Sequence, residues 1–317
     1  AAGFVVDGVP AVVVDTQEGE YLVRFALPAG LTVDAHDNIW VISRPRRVVP
    51  QLDEPPREES GVPAPSVVAF DPSGKLIRGW GGPFMMSDAE RAKFDWPVSE
   101  HGIAVDSKEN VWICGNGRDA KANLDDNQCL KFTNDGKFLM QVGKSGQSKG
   151  SLDTANLNHP SQPVYWAKTN ELFIADGYIN KRVVVYDADT GKYKRHWGAY
   201  GKRPDDTQKY QYPVKPESPP QQYSTLHGLV GSKDGLIYVS DRRGNRIQVF
   251  RQNGEYLMEK FVRPETGGSG SGFSLQFSRD AEQSLLYLID GTNQRVWILR
   301  RKDLAILDRF GRPGRQA

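Results

Sequence analysis

Residues 227–250, HGLVGSKDGLIYVSDRRGNRIQVF, hold the pattern that decides the fold. An apolar strand is followed by a Ser-Lys-Asp-Gly turn, a strand carrying Tyr238, and an Asn-Arg pair ahead of a third strand. The same order returns in HGIAVDSKENVWICG from His101, in PVYWAKTNELFIADGYINKRVVVY from Pro163 and in LLYLIDGTNQRVWIL from Leu285; GLTVDAHDNIWVIS from Gly30 shares its first half. Short strands alternating with Asp, Asn and Gly turns, recurring every few tens of residues, mark a radial β array. A fourth strand follows in AFDPSGKLIRGWGG, KFTNDGKFLMQVG, YDADTGKYKRHWG and FRQNGEYLMEKFV, each through a tight Gly-containing hairpin. Four antiparallel strands per unit make a propeller blade. The chain is therefore expected to be all-β, with blades near 27–80, 100–143, 160–199, 226–262 and 272–311 and closing strands in 1–26. A short helical turn is expected only around Ser87 to Lys93, where MSDAERAKF offers Ser and Asp as caps.

Composition fits one domain over residues 1–317, because β arrays run this long as a single unit and 38% apolar residues suffice for a core between blades. The formal charge is only +2, with cations and anions interspersed, which argues against nucleic acid or a polybasic membrane patch. No apolar run approaches the ~18 residues that span a bilayer. A chain beginning AAG reads as mature, soluble and already processed. Cys114 and Cys129, the only cysteines, close the second and third strands of one blade. Neighbouring antiparallel strands bring Cα atoms within disulfide reach, so the pair is either a bridge clamping the GNGRDAKANLDDNQ insertion or two buried thiols. A bridge would place the protein in the periplasm or outside the cell.

Long irregular stretches rich in Pro, Gly and charge separate the strands, from Arg44 to Pro65, Gly81 to Ser99, Lys144 to Pro160 and Ala199 to Thr225. Loops of this length in a domain are commonly lids or walls of a site. In a propeller the start of the first strand and the end of the second converge on one mouth of the central channel. First strands start at Gly30, His101, Ser161, His227 and near Phe273; second strands end at Arg44, Gly115, Asp176, Asp241 and Asp290. Two histidines thus share one repeat position and are expected to face each other across the channel as candidate metal ligands, whereas a lone imidazole more often bonds backbone. Tyr178 and Arg242 add a phenol and a cation to the same rim. Asp176, Asp241 and Asp290 read as structural turn caps. His159 lies on the correct face to assist, while His36 and His196 lie in a distal turn and an outer strand.

These repeats resemble the NHL family of six-bladed propellers, and several motifs resemble the catalytic core of the peptidyl-α-hydroxyglycine α-amidating lyases. The likeness runs from about Gly30 to Gly311 and is most specific in ADGYINKR from Ala175 and SDRRGNRIQVF from Ser240. It implies that Tyr178 and Arg242 are the reactive pair. It implies zinc ligation by His101, in EHGIAVD, and His227, in LHGLV, and a substrate arginine at Arg44; a structural calcium is a separate expectation. Five blades are legible; the sixth is expected from GFVVDG, AVVVDT and GEYLVRF, or is incomplete. The third histidine ligand of the family has no counterpart up to Ala317.

The chemistry implied is the splitting of a C-terminal α-hydroxyglycine into an amide and glyoxylate. That reaction needs a base, positive charge beside the alkoxide and a cation for the carboxylate. Tyrosine, with an ordinary pKa near 10, serves as a base when cations flank it. The expected substrate is a peptide end or small hydroxylated amide. The alternative is a non-catalytic propeller that binds a protein partner or ligand on its loop-decorated face.

Overall fold

The computed structural model describes residues 28–44, 65–83, 85–208, 210, 213–312 and 314, together with the backbone of three strands within residues 3–24. Most of the Arg44–Pro65 loop lies outside the described residues. The chain divides into two compact units, 1–147 and 148–317.

In the first unit, β1 (Gly3–Val6), β2 (Val9–Thr16) and β3 (Gly19–Arg24) form a three-stranded antiparallel sheet in that order. A four-stranded blade follows from β4 (Pro28–Val33), β5 (Ile39–Ser43), β6 (Val67–Phe70) and β7 (Leu76–Trp80). The expected helical turn is α1 (Asp88–Arg91). Ser87 caps it by accepting from the Glu90 amide while the Glu90 side chain returns to the Ser87 amide, a reciprocal capping box. The next blade is β8 (Glu100–Val105), β9 (Val111–Gly115), β12 (Gln128–Phe132) and β13 (Phe138–Gly143). The insertion between β9 and β12 folds into a small ribbon of β10 (Arg118–Asp119) and β11 (Leu124–Asp125). Cys114 and Cys129 sit directly opposite on β9 and β12, with Cα atoms 4.4 Å apart, and are disulfide-bonded.

The second unit holds three blades. They are β14 (Pro160–Trp166), β15 (Glu171–Asp176), β16 (Arg182–Asp187) and β17 (Tyr193–Trp197); β18 (Leu226–Gly231), β19 (Leu236–Asp241), β20 (Arg246–Arg251) and β21 (Tyr256–Phe261); and β22 (Ser274–Phe277), β23 (Leu285–Asp290), β24 (Arg295–Arg300) and β25 (Ala305–Phe310). Five four-stranded blades therefore stand among the described residues, and the N-terminal sheet has three strands.

The near-continuous apolar runs of the middle strands follow from burial on both faces. On β19, Ile237 and Val239 join a core with Phe173, Val183 and Trp197 of the preceding blade, while Tyr238 turns to the opposite core with Leu275, Leu288 and Trp297. In the first unit, Trp40, Ile42 and Trp80 pack with Ile103, Ile113 and Phe132 in the same manner.

One local feature repeats and positions the site. Where the first strand begins, its register against the second strand skips a residue: Pro28 pairs with Ser43 and Gly30 with Ile42, Glu100 with Gly115 and Gly102 with Cys114, Pro160 with Asp176 and Gln162 with Ala175, Leu226 with Asp241 and Gly228 with Ser240. A bulge leaves its extra residue out of the ladder and re-aims the side chain. The bulged residues are Ala29, His101, Ser161 and His227, so the two histidines do occupy one structural position. In the first blade that position falls on Ala29, one residue before the Gly30 expected from the repeat.

Candidate active site

In the three blades of the second unit, the turn after the second strand is fixed by that strand's last aspartate. Asp176 accepts from the Asn158 amide, from Asn180 Nδ2 at 2.8 Å and from Arg182 Nε at 2.8 Å. Arg182 in turn donates to the carbonyls of Ser151, Asp153 and Asn156, tying the loop before the blade to the turn after its second strand. In the next blade Asp241 accepts from the amides of Ser224, Thr225 and Gly244 and from Arg246 Nε at 3.1 Å. Asp290 accepts from Asn293 and from Trp297 Nε1. The three aspartates are structural, as their sequence context implies; the Asn and Arg of the repeat both bond Asp176, the Arg alone bonds Asp241 and the Asn alone bonds Asp290.

These clamps aim two neighbouring residues. Tyr178 follows the Asp176 turn, and its amide donates to the His159 carbonyl at 3.3 Å. Arg242 follows Asp241, and its amide donates to the Thr225 carbonyl at 2.7 Å. Gly177 allows the close approach between the two blades, because a Cβ there would lie 2.2 Å from the Leu226 carbonyl oxygen. Across that contact Arg242 Nη1 donates to the phenol oxygen of Tyr178 at 3.2 Å, with the guanidinium carbon 5.2 Å from the ring centroid.

His227 completes the cluster, its ring centroid 5.5 Å from that of Tyr178. Its Nδ1 lies 2.5 Å from the Phe273 carbonyl oxygen, which can only accept. Nδ1 therefore donates to it, the orientation in which a backbone carbonyl commonly holds a ligating histidine. In the donor chemistry of this one residue, a metal fits. Among the described residues, however, no three His, Cys, Asp or Glu side chains cluster as a metal cage.

In the first unit, His101 is buried at its bulge, and Arg44 donates from Nε to the carbonyl oxygen of the preceding Glu100 at 2.5 Å. These two expected site residues are thus neighbours. Glu100 itself was not anticipated. Its fully buried carboxyl accepts from Ser66 Oγ at 2.9 Å and Trp96 Nε1 at 2.6 Å, and burial pushes it up to about 7 despite those bonds. Trp96 lies only four residues away, but Ser66 lies on the other side of a long loop, so sequence alone does not signal the pair. His36 bonds Glu109 beside the β4–β5 turn and His196 bonds Tyr193 on β17, both in the peripheral places expected of them.

No protein-family model matches the chain. It is similar to the peptidylglycine alpha-amidating monooxygenase of Rattus norvegicus, 29% identical over 167 residues that make up 51% of this chain and 14% of that protein. It is similar to NHL repeat-containing protein 3 of Homo sapiens, 24% identical over 199 residues, 61% of this chain and 47% of that protein. A probable peptidyl-alpha-hydroxyglycine alpha-amidating lyase of Caenorhabditis elegans is 24% identical over 151 residues, 47% of this chain and 36% of that protein. The chain spans less than half the length of each of these relatives. Among solved structures it resembles a chain of the nidogen/laminin complex, with a TM-score of 0.56 at 13% identity, covering 98% of this chain and 92% of that one. It also resembles a virginiamycin B lyase from Staphylococcus aureus in a structure with quinupristin, TM-score 0.52 at 13% identity, covering 96% and 75%. At such identity these structures speak to fold alone. The chain is an all-β propeller, with five blades among its described residues, consistent with the NHL-repeat family.

Proposed function

We propose that the protein is a carbon–nitrogen lyase of the amidating type, acting outside the cytoplasm on a peptidyl-α-hydroxyglycine or a small hydroxylated amide. The observation that carries this reading is the guanidinium of Arg242 on the phenol oxygen of Tyr178, beside the imidazole of His227. Such a pair suits the elimination. With its phenol deprotonated, Tyr178 takes the proton of the substrate hydroxyl, and the oxygen's electron pair forms the carbonyl of glyoxylate. The carbon–nitrogen bond breaks with its pair left on nitrogen, and the proton held by Tyr178 passes to that nitrogen to release the amide. In this reading Arg242, whose Nη1 donates to the phenol oxygen, stabilises the phenolate, and on the resemblance Arg44 takes the carboxylate of the glyoxylate-forming end. The resemblance implies zinc on His101 and His227, and a calcium ion is proposed in a structural role. Zinc, when bound, supplies positive charge for the developing alkoxide.

Two relatives named for amidating chemistry support the reading at low identity. The Cys114–Cys129 bond supports an oxidising compartment. The test is glyoxylate release from benzoyl-α-hydroxyglycine by the wild type and by Tyr178→Phe, which keeps the ring but lacks the base. Loss of about 10²–10⁴-fold in kcat is expected, the range for a general base. An undiminished rate in Tyr178→Phe would remove Tyr178 from the chemistry. A wild type without turnover that captures a protein partner on its loop face would make the binding platform the better account.

A further inference from the structure

Phe273, just ahead of β22, stands at the junction of every group in the second unit's cluster. Its carbonyl oxygen fixes Nδ1 of His227 at 2.5 Å, and its ring centroid lies 5.8 Å from that imidazole. The same ring lies 5.1 Å from the guanidinium carbon of Arg242. Tyr178 lies against that guanidinium too, at 5.2 Å, so Arg242 contacts two aromatic rings. Among the described residues its Nε is buried without a hydrogen-bond partner, while Nη1 donates to the phenol oxygen of Tyr178. Among the described residues, the two rings rather than a carboxylate hold this cation in place.

Phe273 is itself tightly determined. Its amide donates to the Ile289 carbonyl at 2.9 Å. One residue earlier, the Gly272 carbonyl accepts from Ser240 Oγ at 2.7 Å; two earlier, Ser271 is bonded by its amide to Asn245 Oδ1 and by its hydroxyl to the Val262 carbonyl. Gly291, in the turn after β23, packs against the ring, and a Cβ there would meet three of its carbons at 3.0 Å.

We infer that Phe273 is a positioning residue: its ring holds the Arg242 guanidinium on the phenol oxygen of Tyr178 while its carbonyl sets the tautomer of His227. The inference rests on the lyase reading for its kinetic consequence but on this geometry for its substance. Displacing a catalytic group by about 1 Å costs on the order of 10²-fold in rate. Phe273→Leu should therefore lower kcat for glyoxylate release about 10- to 100-fold with KM changed less than about threefold, and Phe273→Tyr, which restores a ring, should recover most of it. Gly291→Ala should reproduce part of the loss by pushing the ring, yet add nothing in the Phe273→Leu background, because both act through one side chain.

A second readout is independent of turnover. The Arg242 Nε–H resonance, assigned by its loss in Arg242→Lys, should be ring-current shifted in the wild type, lose much of that shift in Phe273→Leu and regain it in Phe273→Tyr. If the wild type lacks lyase activity while this resonance behaves so, the positioning stands and the lyase reading falls. If the resonance is indifferent to Phe273→Leu, or if Gly291→Ala and Phe273→Leu are additive, the inference is overturned whatever the activity.

Discussion

Glu100 shows how burial changes the chemistry of a single residue. Two donors, Trp96 Nε1 and Ser66 Oγ, converge on one carboxyl oxygen, while the other is buried without a partner. Desolvation outweighs the two bonds and raises the carboxyl from 4.5 to about 7. The folded state therefore holds the proton more tightly than the unfolded chain. The resulting stabilisation is complete below the unfolded value and is lost as pH rises through about 7. At 1.36 kcal/mol per unit the effect is about 3 kcal/mol at most. Urea unfolding of the wild type should show stability falling by about 2–3 kcal/mol between pH 5 and 8 relative to Glu100→Gln, whose amide does not titrate. Parallel curves for the two proteins would contradict the assignment. Residues were legible in sequence where the repeat made them comparable: His101 with His227, and Tyr178 with Arg242 as neighbours of equivalent aspartates. The burial of Glu100 and the contacts of Phe273 were not, because Ser66, Arg242 and His227 come from distant segments and an apolar ring carries no local sign of function.

At the scale of elements, the bulge at the start of the first strand converts repeat position into site position. In four blades one residue leaves the ladder there, and in two of them it is histidine. A strict alternation of strand residues does not reveal such a bulge, which is why the first blade was expected to start at Gly30 and its equivalent residue is Ala29. The hairpins and the short helix were legible because Gly turns and a Ser cap are local signals. Between β9 and β12 the Cys114–Cys129 bond closes a loop with a sequence separation of 15. A loop of that size corresponds to about 3 kcal/mol of chain entropy. The double variant Cys114→Ser/Cys129→Ser should lose about 2–4 kcal/mol in denaturant unfolding, with an otherwise unchanged far-ultraviolet spectrum. Two free thiols in the unfolded, unreduced wild type would remove both this prediction and the chemical support for an oxidising compartment.

Across the whole molecule, strand period and turn chemistry sufficed for the fold class, since both are short-range properties repeated many times along one chain. The number of blades is a different kind of property. Five are formed by four strands each, while β1, β2 and β3 make a sheet of three, and how many blades complete the fold depends on long-range pairing that no local pattern encodes. Function stands in the same relation to sequence, because sites of unrelated chemistry share this architecture. What distinguishes this chain is the Tyr178, Arg242 and His227 cluster, and the most direct measurement is product analysis of the purified wild type with a peptide ending in α-hydroxyglycine. The account predicts peptide amide and glyoxylate in equal amounts, formed well above the rate in buffer. Intact substrate after prolonged incubation with folded protein, or glyoxylate no faster than the uncatalysed background, would contradict it.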